Sequence, residues 1–155
     1  MNFRSSFDGE VAYLPDERSE ITEKTKIYGA TEMVGGMVGL LAYANQKYPD
    51  RFPNAEAIFE SASDGDEDVL SLMVHAAKLI ARVVVALQSV LDPELFVLAG
   101  GIGSHPLLSP GVSRQIARWL PYPVIPVPSA LVSRAGIIGA IELALRGLLT
   151  VDHLS

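Results

Sequence analysis

The stretch over residues 91–103 most constrains what this chain can fold into, because an apolar run passes directly into a cluster of glycines. Residues 95–98, Leu-Phe-Val-Leu, are apolar without alternation, which predicts a β-strand covered on both faces of an α/β sheet. Gly100, Gly101 and Gly103 then permit positive φ angles and close approach of a ligand at the carboxyl end of that strand, where open α/β sheets bind ligands. Taken alone, this turn fits a tight connection as well as it fits a binding site.

The composition is that of a globular protein. The chain has 155 residues, enough for one domain with a buried core. Of these residues 49% are hydrophobic and 19% charged, which excludes disorder and favours an apolar surface for association. The net charge of -6 argues against binding of nucleic acid or an anionic membrane by this chain. There is no cysteine for disulfides or a thiolate zinc site, and no long apolar run near the start, so we expect a cytoplasmic protein without a signal peptide or membrane anchor.

The part of the chain before the long apolar helix predicts a strand, a loop and a glycine-bearing helix. Residues 11–14 follow an Asp-Gly turn and are rich in strand-forming side chains, whereas residues 16–26 are polar and without periodicity. Thr31 is the predicted cap of a helix that ends before Pro49. Glycines inside a helix each cost about 1 kcal/mol relative to alanine. We therefore expect those of this helix to serve close packing or ligand approach, and they are Gly35, Gly36 and Gly39.

Residues 69–91 form the longest predicted helix, and all but one narrow stripe of it is apolar. The stripe consists of Ser71, His75, Lys78, Arg82 and Ser89. This pattern predicts a helix buried against a sheet and against another helix or chain, and the polar side chains argue against a membrane span. His75 is interpreted as a hydrogen-bonded or solvated helix residue.

A predicted short helix over residues 54–62 leads into an acidic connection that ends at the amino end of the long helix, where negative charge is favourable. The acidic residues are Asp64, Asp66 and Asp68. Their spacing resembles a calcium loop, but Val69 and His75 stand where that loop needs glycine and glutamate, so no metal is expected there.

Beyond the glycine turn, the sequence predicts a helix over residues 106–120, an edge strand over 122–127 and a last helix over 134–149 that Ser133 caps. Gly136 and Gly139 are expected to lie close to the sheet. The apolar side chains of the last helix are expected to pack, and they include Ile137, Ile138, Ile141, Leu143 and Leu145. The order of elements predicts an α/β half-domain that lacks sheet partners at its amino end.

Three motifs together carry a resemblance to a known family. Residues 91–108 read LDPELFVLAGGIGSHPLL, residues 134–140 read RAGIIGA and residues 9–15 read GEVAYLP. In this order and at these separations they resemble the carboxyl-terminal half of the ROK family, the repressors and sugar kinases of the actin-like ATPase superfamily. The resemblance implies a ribonuclease H-like α/β fold, in which residues 1–155 are an incomplete ROK-like carboxyl-terminal domain with sheet strands missing at the amino end.

The resemblance implies sugar contacts for three side chains. Glu10 falls on the family glutamate that hydrogen-bonds sugar hydroxyls, and Glu32 falls on a second sugar-binding carboxylate. A carboxylate suits this task because it accepts two strong hydrogen bonds from paired hydroxyls. Tyr13 falls on a histidine that touches sugar and also ligates zinc in the family, and it keeps a hydroxyl while removing the metal ligand. From the residues alone, capping or a solvated position is the simpler interpretation of Glu10 and Glu32.

The resemblance also bears on cofactors. The family's zinc loop falls on residues 23–32, where the three cysteines are replaced by Glu23, Thr25 and Ala30, so structural zinc is expected to be absent. His105 is interpreted as a surface loop histidine. The glycine turn corresponds to the segment that lines the adenosine side of the nucleotide, where glycines leave the backbone open to base and ribose. The residues of this turn are Gly100, Gly101, Ile102 and Gly103.

Phosphoryl transfer needs phosphate cradles, a metal site and a catalytic base. In family kinases the residues that supply them precede the part that this chain resembles, and the chain contains no Asp-x-Gly-Gly-Thr phosphate motif. We therefore expect no catalytic residue here, and ATP and magnesium only in a kinase completed by its missing half. The helix-turn-helix of family repressors is not expected in this part either.

The leading interpretation is a ROK sugar-kinase-like domain for sugar sensing and dimerisation, from a transcriptional regulator or a truncated or split kinase, that is not catalytically competent alone. Its expected partners are a second copy, a missing amino-terminal domain and a sugar, with no nucleic acid and no membrane. One alternative is an ATP-dependent hexose kinase completed by a separate amino-terminal portion. Another is a pseudokinase scaffold that binds neither sugar nor nucleotide.

Overall fold

A computed structural model describes residues 10–15, 20–131 and 134–151. It begins with a short 3-10 turn, followed by helices and two very short strands. In chain order the elements are the 3-10 turn (Val11–Tyr13), α1 (Glu23–Tyr28), α2 (Ala30–Gly35), α3 (Met37–Lys47), α4 (Ala55–Ser63), α5 (Glu67–Leu91), β1 (Val97–Leu98), α6 (Gly100–Gly103), α7 (Leu108–Ile116), β2 (Val127–Pro128) and α8 (Ala135–Val151).

The long predicted helix is confirmed as α5, and its ends follow from local chemistry. The carboxylate of Asp66 caps it by accepting hydrogen bonds from the backbone N–H groups of Asp68 and Val69, at 3.1 and 3.4 Å. At the other end Asp92 adopts a left-handed conformation, with φ 46°, and the side-chain amide of Gln88 donates to its carboxylate. Proline at the next position cannot continue the helix.

The core is built around α5, which contacts α2, α3, α4 and α7. This arrangement confirms the predicted burial against another helix, whereas the sheet expected on one side is not among the main contacts of α5. The largest fully buried side chains come from helices of this cluster and from the segment before β2, and they are Leu40, Ile58, Val69, Leu72, Leu108, Val112, Ile116 and Pro126.

By length and composition alone, α5 could cross a membrane. The core helix of a water-soluble domain passes the same test, and 44% of the most apolar window of α5 is buried against the rest of the chain. Its contacts with four other helices favour the role of a core helix.

The two strands pair in parallel, with Val97 opposite Val127. The N–H of Val127 donates to the carbonyl of Phe96 at 2.9 Å, and the N–H of Ser129 donates to the carbonyl of Leu98 at 2.7 Å. The predicted strand over residues 95–98 is therefore only two residues long. Its expected covering on both faces is wrong for the described chain, because Val97 is 54% exposed and no third strand pairs with these two in the described ranges.

Two predictions for the amino-terminal part are wrong. The expected strand over residues 11–14 is a 3-10 turn, because the carboxylate of Glu10 accepts a hydrogen bond from the Ala12 N–H at 3.2 Å and curls the chain. The expected loop over 16–26 contains the start of α1, where Thr22 and Thr25 form a reciprocal capping box. Residues 16–19 of that loop lie outside the described part of the chain.

The predicted glycine-bearing helix is two helices, α2 and α3, that meet at Gly36. This residue is extended, with φ -75° and ψ -177°, and so it ends one helix and begins the next. Thr31 is not a cap, since it lies inside α2 and its hydroxyl donates to the Leu14 carbonyl at 2.8 Å. The expected close packing is confirmed at Gly39, where a Cβ atom would lie 2.5 Å from the Val34 carbonyl carbon.

The helices predicted over 54–62 and 106–120 are confirmed as α4 and the shorter α7. Asn54 caps α4 by accepting a hydrogen bond from the Ala57 N–H at 2.9 Å. Ser109 of α7 is buried, and its hydroxyl donates to the Pro126 carbonyl, which ties α7 to the segment that leads into β2.

The last predicted helix forms as α8, but the packing expected for it is wrong. Leu143 is 73% exposed, and a Cβ atom placed on Gly136 or Gly139 would meet nothing within 4 Å. The helical period of the sequence identifies an apolar face but does not show which residues, if any, pack against it. The predicted cap at Ser133 lies outside the described residues. The apolar side chains that α8 leaves more than half exposed are Ile137, Ile141, Leu143 and Leu145.

The contrast between α5 and α8 predicts two different truncation costs. Leu72→Ala should lower the free energy of unfolding by about 2–5 kcal/mol, because it removes a fully buried side chain from the core. The matched substitution Leu143→Ala should change it by less than about 0.5 kcal/mol, because that side chain is in solvent. Urea unfolding of both variants measures the difference, and equal costs would contradict this arrangement of core and surface.

Candidate functional site

A cleft of about 520 Å³ lies beside α5. It lies between the junction of α2 and α3 on one side and β1 with α6 on the other. It brings together Glu32 and the glycine turn, two parts of the predicted site that are 68 positions or more apart in sequence. The residues that line this cleft are Val11, Thr31, Glu32, Gly35, Gly36, Met37, Leu79, Ile80, Val83, Val84, Leu87 and all eight residues of 96–103.

On the first side of the cleft, Glu32 lies on α2 with its carboxylate folded over Gly36. A Cβ atom on Gly36 would lie 1.9 Å from Oε1 of Glu32, so only glycine leaves room for the carboxylate in this position. The predicted role of Gly36 in close approach is therefore confirmed. Glu32 itself is exposed, and its carboxylate oxygens are accessible to a bound ligand.

On the second side, the glycine turn forms the short α6. Gly100 has φ +81°, a conformation that a residue with a side chain rarely adopts. A Cβ atom on Gly101 would lie 2.8 Å from the sulfur of Met37, the first residue of α3. The turn is thus packed against α3, and Met37 connects the two sides of the cleft.

The wall between these two sides is apolar. It consists of one face of α5 together with Phe96, and Glu32 is the only ionisable side chain among the described residues that line the cleft. An apolar wall with few polar groups is typical of sites for small molecules and suits a flat base or a sugar ring. The residues that α5 supplies are Leu79, Ile80, Val83, Val84 and Leu87.

The other two predicted sugar contacts lie next to the cleft without lining it. Glu10 caps the 3-10 turn, and the hydroxyl of Tyr13 donates to the Ile27 carbonyl at 2.9 Å. Val11, which stands between them, does line the cleft. The structure therefore gives Glu10 a capping role and Tyr13 an anchoring role, and their contacts with a sugar remain predictions.

The 3-10 turn is held beside the cleft by two close contacts. Gly29 has φ +88°, and a Cβ atom there would lie 2.3 Å from the Ala12 carbonyl oxygen. The hydrogen bond from Thr31 to Leu14 supplies the second contact. Thr31 and Met37 belong to the cleft although the sequence predicts neither for it, because a capping residue type and a lone methionine carry no signal for a tertiary contact.

The positions that replace the family's zinc cysteines take part in local helix structure. Thr25 completes the capping box of α1 and Ala30 is the first residue of α2. Within the described ranges, no three His, Asp or Glu side chains gather where they could hold a metal ion. The expected absence of zinc stays a prediction.

His105 follows the glycine turn and is part of its packing. Its ring stacks on Phe59 with centroids 5.0 Å apart, and its Nδ1 accepts a hydrogen bond from the Leu107 N–H at 3.3 Å. Burial lowers the pKa of His105, a shift that a hydrogen bond with the backbone of Phe59 partly opposes. The imidazole is therefore held in its neutral form next to the turn.

This environment predicts a pH effect on folding. Since the pKa of His105 is lower in the folded chain than its ordinary 6.5, the unfolded chain binds more protons between these two values. The contribution of this site to stability is present above pH 6.5 and is lost as the pH falls through the folded pKa. His105→Asn, which keeps an acceptor, should unfold with less pH dependence than the unmodified chain when both are measured in urea on either side of pH 6.5. Equal pH dependence would contradict the shift, as would an NMR titration of His105 at or above its ordinary pKa.

The chain can now be compared with known proteins. A polyphosphate glucokinase from Mycobacterium tuberculosis (strain CDC 1551 / Oshkosh) is 38% identical over 69 residues, which are 41% of this chain and 22% of that protein. A ROK family glucokinase from Streptomyces griseus, solved in complex with glucose and AMPPNP, has a TM-score of 0.65 and 23% identity, covering 74% of this chain and 44% of that one. A protein from Cytophaga hutchinsonii assigned as a sugar kinase has a TM-score of 0.70 and 20% identity, covering 88% of this chain and 48% of that one.

These likenesses agree on fold and family. The two solved structures show that the chain shares the fold of a part of each of these proteins, and within the described residues helices dominate and two strands form the sheet. The chain spans less than half the length of the solved structures and a smaller part of the glucokinase that it matches in sequence. The sequence profile of the ROK family matches residues 32–147, more than half of the chain, and the chain therefore belongs to the ROK family.

Proposed function

We propose that this chain supplies one wall of the ligand cleft of a ROK sugar kinase, and that this wall binds a hexose through Glu32 and the adenosine part of ATP through residues 100–103. The observation that carries the proposal is the 520 Å³ cleft, in which the carboxylate and the glycine turn face a shared apolar wall on α5. The Streptomyces griseus relative of similar fold was solved with glucose and an ATP analogue, ligands of these two chemical classes.

The chemistry of the lining residues decides which ligand each part of the cleft binds in this proposal. Glu32 accepts hydrogen bonds from sugar hydroxyls, and the glycine backbone contacts a base without side-chain obstruction. Phosphoryl transfer also needs cationic or backbone donors for the phosphates, Mg²⁺ and a base for the attacking hydroxyl. The described residues of the cleft include no cationic side chain and only one carboxylate, Glu32, so they do not supply the phosphate contacts and a complete metal site. We assign them to a second wall, whether it belongs to a longer form of the polypeptide or to another chain, and the 155 residues are then an incomplete ROK domain that does not transfer phosphate alone.

A titration of the ¹⁵N-labelled chain tests this assignment. Glucose and N-acetylglucosamine should shift the amide signals around Glu32, and AMPPNP should shift those of Gly100, Gly101 and Gly103, each with millimolar affinity because half of the contacts are missing. Micromolar binding of AMPPNP would contradict the two-wall arrangement. Absence of any shift in the cleft would favour a scaffold that binds neither ligand.

Three variants separate sugar binding from structural roles. Glu32→Gln should weaken hexose binding about tenfold or more, since hydrogen bonds to a charged group are worth about 1.5–3 kcal/mol. Gly36→Ala keeps the carboxylate but displaces it, so it should weaken hexose binding with little loss of stability. Glu10→Gln is the matched control of equal charge change, and it should leave hexose affinity unaltered if Glu10 only caps the 3-10 turn. A loss with Glu10→Gln equal to that with Glu32→Gln would assign Glu10 to the sugar as well.

A second candidate function is a sugar-sensing domain that associates with a copy of itself. The observation that favours it is the apolar surface of α8, where Ile137 and Leu143 are 67% and 73% exposed. We therefore propose α8 as the association surface in preference to α5, which contacts four other helices of the same chain. Such a domain would be cytoplasmic and would act within a regulator.

Sedimentation equilibrium tests the association directly. The chain should form dimers at high micromolar concentration, and Leu143→Asp should shift it towards monomer while the buried core is unchanged. Leu143→Ala, which removes apolar area without adding charge, should have a smaller effect. A monomeric unmodified chain at that concentration would exclude self-association as its function.

A further inference from the structure

A second concave surface lies where the polar stripe of α5 meets the carboxyl end of α7. It is a groove of about 360 Å³, and we call it the cationic groove. Its lining residues are His75, Lys78, Leu79, Arg82, Gln115, Arg118 and Trp119. No Asp or Glu occurs among these described lining residues, although the chain as a whole has a net charge of -6.

The positions of the cations follow from helix geometry. Lys78 and Arg82 are four residues apart on α5 and so stand one above the other on a single face. Arg118 approaches from the turn that follows α7, where its backbone N–H donates to the Gln115 carbonyl at 3.2 Å. Two helices that pack tightly against each other thus hold three cationic side chains around one groove before any ligand arrives.

Electrostatics favours an anion here. The carboxyl end of α7 brings about half a negative charge to the groove. Lys78 and Arg118 alone outweigh it about fourfold, and Arg82 lies beside them in a chain whose net charge is negative. Because the acidic remainder of the chain repels anions at longer range, a local cluster of cations is needed to hold one on this surface.

The dimensions point to a ligand larger than one phosphate. The stripe from His75 to Arg82 spans seven residues of α5, or about 10 Å along the helix axis. The groove, at about 360 Å³, has room for more than one phosphate group between Lys78 on α5 and Arg118 after α7. Trp119, which is 64% exposed, adds an apolar surface at the edge of the groove.

We propose that the cationic groove binds a small phosphorylated anion that carries two or more phosphate groups. The side chains of Lys78 and Arg118 are the principal contacts, and Gln115 adds an uncharged amide. Arginine engages phosphate oxygens with two parallel N–H groups, and lysine contributes a point charge. This site is separate from the ligand cleft and does not depend on the function proposed for it.

The chain carries its own reporter, because Trp119 is its single tryptophan. Titration with inorganic triphosphate at low ionic strength should change the fluorescence of Trp119 in a saturable way. Pyrophosphate should bind more weakly and orthophosphate more weakly still. Added sodium chloride should weaken binding, since exposed charges are screened.

Variants distinguish the groove from general ionic attraction. Lys78→Gln and Arg118→Gln should each weaken triphosphate binding by about threefold, and together by about tenfold, as expected for exposed charge pairs. Lys78→Arg should retain binding because it keeps the charge. Lys24→Gln is the matched control, an exposed lysine on α1 outside the groove, and it should leave the affinity unchanged.

Three outcomes would overturn the proposal. They are the absence of a saturable fluorescence change with triphosphate, an equal loss of affinity with Lys24→Gln, and tighter binding of a short single-stranded DNA than of triphosphate. The last would assign the groove to nucleic acid instead. Since the substituted side chains are exposed, circular dichroism of each variant should match that of the unmodified chain and show that a loss of binding is not a loss of fold.

Discussion

The burial of α5 is the interaction on which the other features of this chain depend. The helix contacts α2, α3, α4 and α7, and its side chains provide most of one wall of the ligand cleft. Leu79, which is 6% exposed, lies beneath both the cleft and the cationic groove. A displacement of this helix would therefore change the core and both concave surfaces at once.

The cleft illustrates how glycines can position neighbouring side chains. Gly36 ends α2 and leaves room for the carboxylate of Glu32, while Gly101 lets Met37 pack against the glycine turn. These contacts fix the distance between the proposed sugar and adenosine subsites. Weak binding by this wall alone is expected, because a ligand held on one side keeps much of its solvation and mobility.

The sequence predicts the features whose causes are local or strongly periodic. The sequence alone predicts the length and apolar faces of α5 and the glycine turn. The resemblance to the family adds Glu32 as a predicted sugar contact. The sequence does not predict the 3-10 turn at Val11, because the side chains there favour a strand, whereas the cap that Glu10 provides favours the turn. The helix before Gly36 and the helix after it have no separate signal in the sequence, and only the structure shows which of three glycines bends the chain.

Packing partners are the other limit of prediction from sequence. The period of α8 identifies an apolar face at Ile141 and Leu143 but carries no information about what covers it, and both side chains are exposed. The same holds for Val97, whose apolar strand predicts a covered sheet although one face is open to solvent. In each case the sequence pattern identifies an apolar face, whereas only the structure shows whether other residues bury it.

The central claim is that the carboxylate of Glu32 and the glycine turn serve a single cleft with two adjoining subsites. A crystal structure of the chain grown with both glucose and AMPPNP tests it most directly. We expect sugar hydroxyls within hydrogen-bond distance of the Glu32 carboxylate and the adenine ring against Gly100 and Gly101, with the two ligands side by side along α5. Ligands bound at separate surfaces, or a Glu32 carboxylate directed away from the cavity that residues 96–103 line, would contradict it.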